Sequence, residues 1–338
     1  VTAQTSVVER GGWWRTIPTE SLWRNLGLVG VLVVLFVIGA IIRPDLYGDS
    51  DWVVNNMLVI LQQAAAIGVV TVGVTFVIIG GGIDLSVGAL IALAGVWSTT
   101  LATQSYGAGG MIFAAIAVGT IAGAVNGLLI AYGRLVPFIA TLAMLVAARG
   151  LAAQISGKQT QVSADQFING IATKKVAGIP MLVVILAVAA ALGWVLLNRT
   201  TFGRRTVAIG SNAEAARLAG INVRRHTLLL YALSGLCCGI AAIMLTSLAT
   251  SAQAAAAELY ELDAIAAAII GGTLLSGGRG TIVGSMFGVI VFSTITNLFA
   301  IANLPTEVQN MVKGGIIVLA VLVQQIRFGS LTALFRKP

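Results

Sequence analysis

Ten apolar runs divide this sequence, and their length is the strongest constraint on its fold. They fall at roughly 26–42, 56–80, 86–104, 110–132, 136–155, 179–197, 227–249, 263–275, 281–302 and 307–326. A helix of about 20 apolar residues crosses ~30 Å of hydrocarbon with its backbone groups bonded internally. The sequence therefore predicts an all-α polytopic membrane protein with about ten transmembrane helices. The eighth run is too short for a plain crossing, and Gly271, Gly272, Gly277, Gly278 and Gly280 follow it. That pattern predicts a broken or re-entrant helix over 263–280.

Composition excludes the competing reading of the charge. A net charge of +8 would suit a nucleic-acid binder, but 58% of the residues are apolar and only 9% are charged. An excess of Lys and Arg is also what cytoplasmic membrane loops carry, so no nucleic-acid partner is implied. Loop parity puts fourteen basic residues, among them Arg134, Arg199, Arg204, Arg205, Arg217, Arg224, Arg225 and Arg279, on the side that holds both termini. The other side receives Arg43, Lys158, Lys174 and Lys175. The positive-inside rule makes the richer side cytoplasmic. The expected location is a bacterial plasma membrane, multi-pass, with both termini inside.

The domain plan follows. Residues 1–25, with Trp13, Trp14 and Trp23, read as a cytoplasmic interfacial segment; 26–326 is one transmembrane domain with a cytoplasmic loop over 198–226; 327–338 is a cytoplasmic tail. The first run is followed by Arg43-Pro44-Asp45 rather than small residues, so it reads as a retained span and not a cleaved signal. The 156–178 loop, with Lys158, Asp165, Lys174 and Lys175, is polar, is expected to face outward and contribute to contact with an outside partner, and gives no reason for burial.

Within the cytoplasmic loop, SNAEAARLAGINVRR (Ser211 to Arg225) is a polar island. Ser211 and Glu214 have capping-box spacing, each side chain able to satisfy a free N–H at a helix start. Gly220 is the matching stop, since glycine takes a left-handed conformation cheaply. The intervening two turns are too short to be stable alone in water. They are expected to dock against something.

Glu214-Ala215-Ala216 followed by Gly220 resembles the EAA loop of ABC importer permeases, the coupling helix that sits in a groove of the ATPase subunit. Three further stretches, IGGGIDLSVGALIALAG (Ile79 to Gly95), YELDAIAAAIIGGTLLSGGRGTIVGS (Tyr260 to Ser285) and NMVKGGIIVLAVLVQ (Asn310 to Gln324), resemble permeases of the ribose, xylose and galactofuranose importers. The resemblance spans Leu26 to Arg327. It departs at Leu230-Tyr231-Ala232-Leu233, where the longer EAA pattern has Ile-x-Leu-Pro. It implies a permease subunit of an ATP-driven importer for a neutral monosaccharide, with Ser211, Glu214, Ala215, Ala216, Arg217 and Gly220 as its ATPase-coupling residues. The implied partners are an ABC ATPase subunit carrying ATP and magnesium, a second permease subunit and an extracytoplasmic sugar-binding protein. The stretch from Leu304 to Phe328 looks nearer the galactofuranose type than the ribose type.

The residues themselves point to no catalysis. Leu275-Ser276-Gly277-Gly278-Arg279 mimics an ATPase signature but lies between membrane segments; Gly157-Lys158 lacks the earlier glycine and the Ser or Thr of a phosphate loop. Cofactors and metals are therefore not expected in this chain. The adjacent Cys237 and Cys238 read as packing residues. An ATP-independent secondary transporter or channel is the alternative class.

Polar residues inside the runs are candidates for a translocation path or gate, because an amide or hydroxyl in lipid needs a partner or water. Gln63, Thr71 and Thr75 form one stripe; Asn126, Thr141, Asn297, Gln309 and Asn310 add neutral donors and acceptors. Asp84 with Ser86 either caps the third run or touches the solute, and either role puts the Gly80-Gly81-Gly82 bend near an inner gate. The glycine stripes Gly119-Gly123-Gly127 and Gly280-Gly284-Gly288 would make the fourth and ninth runs counterparts under an inverted-repeat plan, the other explanation being glycine-rich composition alone. Aligning Ile79-Gly80-Gly81 with Ile270-Gly271-Gly272 gives a different register. Lys313, deep in the tenth run, either snorkels outward or pairs with Asp263 as an intramembrane charge pair, with Arg149 competing for the same carboxylate.

Overall fold

The computed structural model describes residues 19–44 and 50–328. The N-terminal residues through 18 and the tail beyond 328 lie outside the described residues, and with them most of the expected interfacial segment and tail. The long helices are α1 (Thr19–Ile42), α2 (Ser50–Ile79), α5 (Gly107–Ala131), α6 (Pro137–Ser156), α8 (Met181–Arg199), α11 (Val223–Ala249), α13 (Ile282–Ile301) and α14 (Thr306–Phe328). Between them lie shorter helices: α3 (Val87–Ser98), α4 (Leu101–Gln104), α7 (Gln166–Ile171), α9 (Thr201–Ser211), α10 (Ala213–Leu218) and α12 (Tyr260–Ile270). Among the described residues, six helices are long and apolar enough to cross a membrane: Val53–Ile79, Gly107–Ala131, Pro137–Ser156, Met181–Arg199, Val223–Ala249 and Ile282–Ile301.

Burial follows the lipid rule rather than the water rule. From Ala64 to Ile79, α2 is buried on all sides, as a helix that is apolar all round should be. Phe113, Ile121, Val146, Leu192 and Leu319 stand exposed on the outside of the bundle. That much outward apolar surface marks a lipid-facing perimeter.

The expected third span, 86–104, is interrupted. Helix α3 stops at Ser98, where the hydroxyls of Ser98 and Thr99 turn back onto the Gly95 carbonyl oxygen. Thr100 then caps the four-residue α4. The eighth run forms only α12, and Gly271-Gly272 ends it before a coil that leads into α13.

Helices α2, α3, α11 and α12 form the centre. Helix α5 packs along α11 and α3, and α6 on α3; α13 packs along α2 and α12, and α14 on α12. Glycine permits the closest of these crossings: a Cβ on Gly119 or Gly123 would fall on main-chain atoms of Gly235, and one on Gly288 would fall on the Ala267 carbonyl.

The turn after α2 and the turn after α12 have the same geometry. Gly81 N–H donates to the Ile78 carbonyl and Gly82 N–H to that of Val77, at 2.9 Å each. Gly272 donates to Ile269 and Thr273 to Ala268, at 2.8 and 2.9 Å. Gly81 and Gly272 take φ of 84° and 86°, the left-handed values such a helix stop requires.

Lys158, Lys174 and Lys175 are exposed, but parts of the 156–178 loop are buried, contrary to expectation. Its strand β1 (Gln161–Val162) pairs antiparallel with β4 (Ser251–Ala252), while β2 (Lys175–Val176) and β3 (Ile179–Pro180) form a hairpin. Asp165 caps α7 by accepting the Ile168 N–H, and Ile168 and Ile171 are buried in the core. Two isoleucines in a polar stretch pin it down.

Candidate functional site

The cytoplasmic loop folds as two short helices joined at a sharp corner. Helix α9 starts with the Thr200 hydroxyl accepting from Phe202 and Gly203 N–H groups. It continues through Ser211, whose Oγ donates to the Val207 carbonyl oxygen. The chain turns at Asn212, extended at φ −161°, and Asn212 Oδ1 accepts the Ala215 N–H at 2.9 Å. The Ser211–Glu214 capping box is therefore corrected: the cap is Asn212, one residue later. Continuation of α9 through Ser211 shifts the register, so Ala215 rather than Glu214 occupies the position from which a side chain could reach back.

Glu214 pairs instead with Arg217. Arg217 Nη2 lies 2.5 Å from Glu214 Oε1, and its Nε lies 3.0 Å from Oε2. The Arg217 guanidinium, by hydrogen bond and then by charge, holds the Glu214 carboxyl below the usual carboxylate range; Glu214 in turn raises Arg217. Gly220, at φ 82°, ends α10: its N–H donates to the Arg217 carbonyl, and Ile221 N–H donates to that of Ala216. This is the paired-bond stop that satisfies the Ala216 and Arg217 carbonyls of the last turn. Ala216 faces inward and is buried, while Glu214, Ala215, Arg217 and Leu218 face out, Leu218 with 74% of its surface exposed.

Beneath α10, α9 touches the end of α2 and the Gly277-Gly278 segment main chain to main chain. A Cβ on Gly210 would collide with the Ile79 carbonyl and stand 2.6 Å from Gly278 N. Gly278 N–H itself donates to the Ile79 carbonyl oxygen at 2.8 Å. A second tie runs to α11, where Thr206 Oγ1 lies 2.8 Å from His226 Nε2 and the Phe202 ring stacks 4.5 Å from that imidazole.

The polar residues singled out inside the runs do not converge on one site. Gln63 is exposed and leaves the stripe; its neighbour Gln62 faces in and donates to the Ala172 carbonyl. Thr71 donates to the Ile67 carbonyl, and Thr75 Oγ1 lies 2.6 Å from the Thr71 carbonyl and 2.8 Å from Ser285 Oγ. Asp84 is fully buried: its Oδ1 accepts from Ser86 N–H and Oγ–H at 3.0 and 2.6 Å, and its Oδ2 accepts from Ser234 Oγ at 2.9 Å. Asn126 Nδ2 donates to Ser86 Oγ at 2.8 Å. Thr141 bonds back to the Pro137 carbonyl. Asn297 is buried in α13; Gln309 donates to the Leu304 carbonyl, and Asn310 is exposed.

Asp263 and Lys313 do meet: Lys313 Nζ lies 3.0 Å from Asp263 Oδ2, the side chains only 16% and 10% exposed, with the Phe292 ring 5.4 Å from the ammonium. Arg149 does not compete, because its Nη1 donates to the Ala254 and Ala256 carbonyls at 2.7 Å each.

One feature had no counterpart in the sequence reading. A cavity of about 290 Å³ opens between α3, α11 and the segment after Thr250, with Thr246, Ser251, Gln253 and Tyr260 on its wall. The run LTSLATSAQ (Leu245 to Gln253), rich in hydroxyls where a span should be closing, is the signal that could have found it.

The family described as "Branched-chain amino acid transport system / permease component" matches residues 56–321. The chain belongs to this permease family. The permease is 39% identical over 321 residues to the ribose import permease protein of Bacillus subtilis, covering 92% of this chain and 96% of that one. It is 37% identical over 307 residues to the ribose import permease of Escherichia coli K12, covering 89% and 94%. With the galactofuranose transporter permease of the same strain it shares 33% over 308 residues, covering 90% of each. The lean of the C-terminal stretch towards the galactofuranose type is not matched by the whole chain, which is more similar to these ribose permeases. No solved structure matches the permease.

Proposed function

We propose that this permease is the membrane subunit of an ATP-driven importer for a neutral monosaccharide, in a bacterial plasma membrane with both termini cytoplasmic. Whole-chain similarity to sugar permeases supports the solute class. The observation that carries the coupling role is α10, a six-residue helix closed at both ends that exposes Glu214, Ala215, Arg217 and Leu218. Too short to persist alone, it is held ready by the body of the protein for a partner to grip. That partner would be an ABC ATPase subunit, which brings ATP and magnesium. A second permease subunit and an extracytoplasmic sugar-binding protein complete the assembly.

The membrane plan of ten crossings in an inverted repeat is part of this reading. It is supported by the exchange of packing partners: α5 lies on α11 as α13 lies on α2, α6 lies on α3 as α14 lies on α12, and the two glycine turns match. Mechanistically, closure of the ATPase pair would push α10. Helix α9, joined to it at Asn212 and seated on Ile79 and Gly278, would carry the push to the turn after α2 and to the coil between α12 and α13. The alternative, a carrier working without ATP, has no use for a capped, outward-facing helix of this kind.

The test is co-purification with the ATPase. Asn212→Ala removes a cap worth ~1 kcal/mol, and Gly220→Val penalises the left-handed stop more heavily. Both should weaken ATPase retention and sugar-stimulated hydrolysis, Gly220→Val more. Full retention and hydrolysis in both variants would overturn the docking role.

A further inference from the structure

We propose that the cavity between α3, α11 and the segment after Thr250 is a solute-holding site, in which Thr246 and Gln253 hydrogen-bond a neutral polyhydroxylated ligand. The inference rests on the importer reading above and adds to it the place and residues of solute contact.

Three observations converge. The first is an unfinished hydroxyl. Thr71, Thr75, Thr206, Thr294 and Thr296 each sit within hydrogen-bond distance of the carbonyl one turn back, while Thr120 of α5 has no such partner. Thr246 is only 2% exposed and makes no such bond, nor any other among the described residues. Its Oγ1 faces Gly95 of α3, 3.6 Å from where a Cβ there would stand, and both residues line the cavity. As a hydroxyl on the cavity lining, it is open to a hydrogen bond from whatever occupies that space.

The second is the chemistry of the wall. About 290 Å³ is near the lower bound for small-molecule sites. No charged side chain lines it, so neither an ion nor a zwitterion finds a counter-charge there. Thr246, Ser251 and Gln253 offer hydroxyl and amide groups, and Tyr260 adds an aromatic face with a polar tip. Neutral donors and acceptors beside apolar surface suit a sugar ring with its hydroxyls.

The third is exclusion elsewhere. Asp84, Ser86, Asn126 and Ser234 are fully buried and bonded to one another, with Asn126 Oδ1 alone of their bonding atoms left without a partner. Of the polar groups that the sequence made conspicuous, Thr75, Asp84, Ser86 and Asn126 tie helices or their entries together. The inconspicuous Thr246, three residues from the end of α11, borders the open space.

The experiment uses the whole importer in proteoliposomes, with D-ribose, D-galactose and L-arabinose as probes. For whichever sugar the unaltered complex takes up with ATP, Thr246→Val and Gln253→Ala should each raise KM about five-fold, the effect of one hydrogen bond, with kcat held. Thr246→Ser should restore the native KM. A cysteine at Thr246 should react with a methanethiosulfonate reagent from the binding-protein side, and saturating sugar should protect it. If Thr246→Val fails to fold, Gln253→Ala and sugar protection of the cysteine decide. Intact uptake with unmoved KM and no protection overturns this site alone. No ATP-dependent uptake by the unaltered complex overturns the importer reading and this site with it.

Discussion

The two interrupted helices, α3 and α12, are built alike at their glycine turns and unlike in how they bury a carboxylate. At α3, Asp84 accepts three hydrogen bonds from Ser86 and Ser234, and no cation among the described residues meets it. At α12, Asp263 faces Lys313, brought in by α14. The first carboxylate is a local tie between the entry to α3 and the middle of α11. The second fastens a peripheral helix to the centre by charge. Related placements therefore do not imply related sensitivity: a pair of opposite charges in hydrocarbon fails badly when one member is lost, whereas a hydroxyl network retains most of its bonds.

The largest expected effect is at the charged end. Asp263→Asn leaves the Lys313 ammonium without its partner and should cost about 3–5 kcal/mol, read as a fall in the thermal midpoint of the detergent-purified protein. Adding Lys313→Met should recover much of the loss. If the two changes are merely additive, the contrast between the helices collapses. At the other end, Asp84→Ala strands the Ser86 and Ser234 donors and should cost about 1–3 kcal/mol, with Asp84→Asn milder because an acceptor oxygen survives. An Asp84→Asn loss as large as that of Asp263→Asn would show that α3 hides a charge partner.

The shared feature predicts equality. Gly81→Ala and Gly272→Ala each force a side chain into the left-handed region at a cost of about 1–2 kcal/mol, so their thermal shifts should agree. A large difference would mean that the turns are not equivalent.

The smallest effect comes from the exposed pair, Glu214–Arg217, which contrasts with the buried one. A carboxyl held below its ordinary value contributes above that value and loses the contribution as pH falls through the depressed one. ATPase binding should be flat from about pH 8 to about pH 6 and weaken only in acid. Weakening already near neutral pH would assign the sensitivity to another group.

What the sequence revealed follows the same division. The Asp263–Lys313 pair was legible because counting places Lys313 deep in a run, where a cation needs a partner and few carboxylates are in reach. The glycine stop at Gly220 was legible because one residue type does that work. The cap was not: Ser211 and Asn212 are both good caps, and the packing of Phe202, Thr206 and Ile209 decides how far α9 runs. Hydropathy missed the break at Ser98 to Thr100, since three hydroxyls barely lower the mean over 86–104. It also hid Ile168 and Ile171 in a polar loop. The cavity needed three separate elements to be brought together, which no single stretch of sequence records.

The most direct measurement is sugar uptake by proteoliposomes holding this permease with and without its ATPase, ATP being supplied on the α10 side. The account expects uptake against a gradient only when ATPase and ATP are both present, and its loss in Gly220→Val. Uptake by the permease alone, at a rate indifferent to ATP and to Gly220→Val, would contradict it.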